Sequence, residues 1–96
     1  MRIIVLPRAE ADIVESAQFI AEDSLDAAPR FMDQAQVAFN FLRQFPEAGS
    51  DHVYSSDTLR GTRSWPIRGF ENWIVFYVVR DNELIVIRVL HGARDV

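Results

Sequence analysis

The sequence predicts an α+β domain in the order β-αα-βββ, a small twisted, mainly antiparallel sheet with a helix hairpin packed on one face. Three observations point there. Between residues 8 and 45, apolar side chains recur every three or four positions in two stretches parted by a short break. From residue 59 onward the pattern changes to runs rich in valine, isoleucine and aromatic residues. Asp81-Asn82 separates two of those runs, the spacing of a tight hairpin.

Ile3-Ile4-Val5-Leu6 is short, apolar and β-branched, and Pro7 stops it, so it reads as a buried strand. In the next stretch Ala9, Ile13, Ala17 and Ile20 share a helix face, while Asp12, Glu15 and Glu22 fall largely off it. The early acids suit the positive end of the helix dipole. Ser24-Leu25-Asp26 breaks this helix. Asp26 is placed to cap a second one running from about Ala27 to Gln44, with Pro29 in its first turn, where a missing N–H costs little. Phe31, Ala35, Ala38, Leu42 and Phe45 form its stripe, widened by Phe39 and Phe41. So short a connection makes the two helices an antiparallel hairpin. Phe45-Pro46-Glu47-Ala48-Gly49-Ser50 punctuates the end, and residues 50–57 read as polar loop.

Leu59 to Ile67 reads as a strand with Pro66 near its end, and Arg68-Gly69-Phe70-Glu71 as a turn. Trp73 to Arg80 and Glu83 to His91 are the hairpin strands, apolar on both faces and therefore central. On the last strand, alternation turns Ile85, Ile87 and Val89 toward the helices, with His91 at the end of that row. It turns Leu84, Val86, Arg88 and Leu90 the other way, beside Ile74, Phe76, Val78 and Arg80 of the neighbouring strand. An arginine in such a row must lie at an edge, be paired or face a groove, because burial without a partner is expensive. The expectation is a concave, partly apolar binding surface on the sheet face away from the helices.

Ninety-six residues make one domain, and 49% hydrophobic content supplies a core. No internal repeat or low-complexity tract divides residues 1–96. There is no cysteine, hence no disulfide and no thiol chemistry. The N-terminal apolar run is too short for a signal peptide, and no stretch reaches the length of a membrane span. The reading is a soluble cytoplasmic protein with no membrane role. The net charge of −4 is uneven: residues 1–57 hold 4 arginines against 10 acids, and residues 58–96 hold 6 against 4. All basic residues are arginine, which reflects either composition bias or a patch for a carboxylate-bearing partner.

Chemistry-bearing patterns are few. His52 and His91 are the only histidines, and neither has a second ligand at metal-binding spacing, so no metal is expected. No glycine-rich phosphate loop and no nucleophile elbow occur, so no cofactor is expected either. One catalytic reading needs weighing: a nuclease using the RNA 2′-OH, with Arg60, Arg63, Arg88 and His91 as cations and titrating group and Tyr54 or Tyr77 as phenol. Arginine is a poor acid or base and lysine is absent, so arginines that hold a partner's carboxylates are favoured, with no catalytic residue. Trp65, Phe70, Trp73 and Phe76 alternate with Arg60, Arg63, Arg68 and Arg80, a mixture used for nucleic-acid stacking and for protein hot spots. Trp65 and Phe70, near turns, are the better surface candidates; Trp73 and Tyr77 read as packing.

Several motifs in this order resemble the RelE/ParE toxin superfamily, and the ParE branch most. They are Ala9-x-x-Asp12-Ile13, Phe45-Pro46-x-x-Gly49, Leu59-Arg60-Gly61-x-Arg63, Ile74-Val75-Phe76-Tyr77-x-Val79 and Arg88-Val89-Leu90-His91-Gly92-Ala93-Arg94-Asp95. The resemblance spans almost the whole chain. It implies a type II toxin that poisons DNA gyrase by protein–protein binding and is neutralised by a ParD-like antitoxin. That antitoxin's disordered tail would fold onto the toxin. It also implies contact with DNA only indirectly, through the antitoxin, in repression of the operon. The RelE branch instead cleaves ribosome-bound mRNA with lysines and a C-terminal tyrosine, both missing here. An mRNA interferase of that type, or a non-toxic binding module of the same fold, is the alternative. The residues expected to meet antitoxin or target are Arg60, Arg63, Arg80, Arg88, His91 and Arg94, flanked by Trp65 and Phe70.

Overall fold

Pro7 ends the first strand and opens the first helix in one step, since its fixed φ suits a helix start and its missing N–H would have no partner there. The computed structural model describes residues 1–51 and 61–92. Strand β1 is Arg2–Val5, helix α1 is Pro7–Asp23 and helix α2 is Ala27–Gln44. Strands β2 (Ser50–Asp51), β3 (Arg63–Ile67), β4 (Phe70–Arg80) and β5 (Glu83–His91) follow. The sheet order is β1-β5-β4-β3-β2; β1 runs parallel to β5 and every other pair is antiparallel. The hairpin strands β4 and β5 are central, as their two apolar faces require.

The α1 stripe is buried as its spacing predicts, with Ala9, Ile13, Ala17 and Ile20 all in the core. Phe31, Ala35, Phe39 and Leu42 of α2 meet them, and Ile67, Val75, Tyr77, Leu84, Val86 and Val89 of the sheet complete the cluster. Asp81 and Asn82 both take positive φ, 51° and 61°, the left-handed pair that twists a two-residue turn to match its strands. No helix among the described residues is long and apolar enough to cross a membrane.

Several elements depart from the sequence reading. β1 is a half-buried edge strand, because only one side of it is paired. Asp26 makes no side-chain cap; it is already helical at φ −70°, and Ser24 Oγ accepts the Ala27 N–H at 3.2 Å instead. Phe45 is not in the helix stripe but 55% exposed. Ser50-Asp51, read as loop, pairs with Ser64 and Arg63. The turn after β3 is only Arg68-Gly69, so Phe70 and Glu71 already belong to β4. The expected strand start at Leu59 lies outside the described residues.

The largest departure is on β5. Phe76 pairs with Arg88, but Tyr77 pairs with Val86, so Ile87 is an extra residue in the ladder. Such a bulge breaks strict alternation. Leu84, Val86 and Val89 are therefore the fully buried residues, and Ile85 and Ile87 are only half-buried.

Candidate functional site

β1 covers the outer edge of β5 only as far as Val86, where the Leu6 N–H donates to the Val86 carbonyl at 3.1 Å. Beyond it the outer edge of β5 has no strand beside it, and a buried N–H there needs another acceptor. Asp12 of α1 supplies it. Its Oδ2 accepts the Val89 N–H at 3.0 Å and the Arg88 Nε–H at 2.7 Å, and its Oδ1 accepts Arg88 Nη2 at 3.1 Å. Arg8 Nη2 lies 3.6 Å from the same carboxylate. Asp12 is only 4% exposed, and two-point pairing with a guanidinium is the geometry that makes a buried carboxylate tolerable. The bulge brings Arg88 and Val89 to one acceptor.

This overturns the expected placement of Arg88. It does not stand on the sheet face away from the helices; it turns toward α1 and is paired. Asp12 is correspondingly not a solvent-facing acid. Its position was readable: residues 9, 12, 13, 16, 17 and 20 form a broad helix face, and Asp12 lies inside it.

Around this pair is a cleft of about 270 Å³ whose walls include Arg8, Glu15, Phe19, Trp73 and His91. His91 stands edge-on to Trp73, ring centroids 4.5 Å apart at 85°. Trp73 in turn meets Phe31 at 5.6 Å and Phe19 at 6.3 Å. His91 thus ends the strand packed on a core aromatic.

A second polar cluster ties β3 and β4 to the segment after α2. The Tyr77 hydroxyl donates to the Pro46 carbonyl at 2.8 Å and accepts the Gly49 N–H at 2.9 Å. Arg63 Nη1 donates to the Gly49 carbonyl at 2.9 Å and to that of Glu47 at 3.3 Å, and Nη2 lies 3.8 Å from Asp51. Burial raises the Tyr77 pKa above its ordinary value, outweighing the Gly49 hydrogen bond and the nearby Arg63 charge. The phenol therefore stays neutral and serves as an anchor.

The other expected partner residues are scattered. Trp65 lies flat on Phe41 of α2, centroids 5.1 Å apart and planes 23° from parallel. Phe70 is half-buried and edge-on to Phe31 at 5.4 Å, so it belongs with the core rather than the surface. Arg80 is exposed at the hairpin turn, opposite Glu83 and at the far end of β4 from Trp73 and His91. Arg63 and Arg88 lie two strands apart, with β4 between them, roughly 10 Å at ordinary strand spacing. Arg60 and Arg94 lie outside the described residues. Among the described residues no three of His, Asp and Glu gather as a metal site would require. Sequence reasoning missed Asp12, Arg8 and the exposed Val37-Phe41-Phe45 row; it weighs Tyr77 as a nuclease phenol or as packing, and not as the anchor of residues 46 and 49.

The chain matches, over residues 3–96, the family described as the ParE toxin of type II toxin–antitoxin system, parDE. None of the curated proteins is similar enough to match it. Among solved structures it is similar to one described as the chromosomal ParDE TA system from P. aeruginosa, at 17% identity, with 95% of each chain covered and a TM-score of 0.66. Identity that low carries the fold alone.

Proposed function

This chain belongs to the ParE toxin family of type II toxin–antitoxin systems, and on that premise we propose that it poisons DNA gyrase by protein–protein binding and is neutralised by a ParD-like antitoxin. The match over residues 3–96 carries this reading. The chemistry agrees with it. Arg88 is committed to Asp12, and Arg63 to the backbone of residues 47 and 49, so neither is set out as a phosphate clamp. The toxin acts in the cytoplasm as one domain, and reaches DNA only through its antitoxin. Arg60, Trp65, Arg80 and Arg94 are the residues proposed to touch antitoxin or target directly. Arg63, Phe70, Arg88 and His91 instead hold the elements around them in place.

A gyrase supercoiling assay tests the target. Added purified protein should stop supercoiling of relaxed plasmid and leave cleaved DNA after denaturation of the enzyme. Undiminished supercoiling at molar excess would overturn gyrase as target. Codon-phased cuts in translated mRNA of expressing cells would favour the interferase instead.

A further inference from the structure

Where the start of α2 meets the turn between β3 and β4 there is a cleft of about 320 Å³. Its walls are Arg30, Asp33 and Gln34 of the helix and Arg68, Gly69 and Phe70 of the turn and β4. Charge sets it apart. Arg2, Arg8, Arg63 and Arg88 each lie within ion-pair distance of a carboxylate. Arg30 and Arg68 have no ion pair among the described residues. Asp33 lines the same cleft, three residues along the helix from Arg30, a spacing that allows pairing, yet it pairs with neither. Arg30 is held instead by its Nε, which donates to the Asp26 carbonyl at 3.4 Å. Glu71, the acid of the turn, is occupied in accepting the Gly69 N–H at 2.8 Å.

Two guanidiniums in one cleft without counter-charge select a doubly charged anion. A carboxylate would offset one of them. A phosphate monoester carries close to two charges at neutral pH and three acceptor oxygens, which two forked donors can share. The other walls suit what such a phosphate is attached to. Phe70 is half-buried, edge-on to Phe31, and gives the cleft an apolar aromatic wall for a flat ring. Gln34 is half-buried and offers an amide donor and acceptor together. Asp33 can only accept, so it takes protons from hydroxyl groups rather than meeting phosphate. Gly69 leaves the turn side open, since a Cβ there would meet nothing within 4 Å. The volume lies at the low end of the roughly 300–1,000 Å³ of small-molecule sites, room for one nucleotide unit. We propose that this cleft binds a 5′-nucleoside monophosphate, its phosphate between Arg30 and Arg68, its ribose hydroxyls on Asp33 and its base beside Phe70 and Gln34. The site is separate from the Asp12–Arg88 cleft, and it stands whether or not gyrase is the target.

The test is calorimetric titration of the full chain with the four 5′-ribonucleoside monophosphates, the matching nucleosides, inorganic phosphate and a short single-stranded oligonucleotide without a terminal phosphate. At least one monophosphate should bind at a single site, about tenfold or more tighter than inorganic phosphate, and its nucleoside should not bind. Arg30→Gln and Arg68→Gln should each weaken it by about tenfold, the scale of losing one charged hydrogen bond. Asp33→Asn should weaken the monophosphate and leave inorganic phosphate unchanged. Arg43→Gln, an exposed arginine of the same helix outside the cleft, should bind as wild type, with all four variants melting alike. Equal loss in Arg43→Gln would mean attraction by surface charge alone and would overturn the site. Inorganic phosphate binding as tightly as every monophosphate would remove the base and ribose from it. Tighter binding of the oligonucleotide would assign the arginines to a nucleic-acid chain and overturn the proposal, as would no saturable binding of any monophosphate.

Discussion

Asp12 and Arg88 are 76 residues apart in the chain and joined by two hydrogen bonds of 2.7 and 3.1 Å. The same carboxylate accepts the Val89 N–H. One side chain on the first helix thereby closes the part of β5's outer edge that β1 does not reach.

Asp12→Ala leaves both a guanidinium and a backbone N–H without their acceptor. Loss of one partner from a fully buried pair costs roughly 3–5 kcal/mol. Arg88 keeps 34% of its side chain in contact with solvent, so about 2 kcal/mol is expected here. Asp12→Asn, which retains an acceptor for Val89, should cost less. Urea unfolding of the three proteins checks the order; equal midpoints for wild type and Asp12→Ala would remove the clasp from the account.

Gly49 is closed to any side chain. A methyl there would approach the Tyr77 ring to 2.7 Å at Cε1 and 2.9 Å at Cζ, and would also meet the hydroxyl. Gly49→Ala should destabilise by about 1–3 kcal/mol, the usual cost of overpacking. Its effect should shrink in a Tyr77→Phe background, where the atom nearest the new methyl is gone. Thermal melts of both singles and the double measure that coupling.

Tyr77 makes stability fall at alkaline pH. Its pKa is raised from 10.0 by burial, so the folded chain holds this proton more tightly than the unfolded one. The contribution is complete below pH 10 and is lost as pH rises through the folded value. Denaturation midpoints compared at neutral pH and above 10 should drop for wild type and drop less for Tyr77→Phe. At neutral pH Tyr77→Phe should itself cost about 1–3 kcal/mol, because the Gly49 N–H is left buried without an acceptor.

Asn82 holds φ at 61°, a region that costs most L-residues energy and costs glycine nothing. Asn82→Gly should stabilise the hairpin by roughly 0.5 kcal/mol, and Asn82→Val should destabilise it by more. Chemical denaturation resolves both signs.

The helices were legible because periodicity and burial agree: Ala9, Ile13, Ala17 and Ile20 were named from spacing and all lie in the core. The hairpin was legible because Asp81-Asn82 is turn chemistry. The facing of β5 was not. Alternation assumes an unbroken ladder, and no residue near Ile87 announces that the ladder slips there. Arg88 could be recognised as needing a partner, but only the fold could name Asp12. β2 escaped because two polar residues carry no β signal of their own; their pairing is imposed by Tyr77 and Arg63 pulling residues 46–51 against β3. Phe41 was half legible: its spacing widens the core stripe of α2, whereas its stack on Trp65 ties that helix to β3.

β1 pairs with β5, and α1 is fastened to β5 through Asp12. The partners in each contact are at least 76 residues apart in the chain, so they are made at well-separated times. A ribosome adding roughly 5–20 residues per second will have released the first helix from its tunnel well before it makes Arg88. Until then the first strand has no neighbour, and the helix hairpin can meet only Ile67, Val75 and Tyr77 of β3 and β4. The sheet closes only once β5 is made, so a chain halted before Glu83 leaves β1 and Asp12 without their partners.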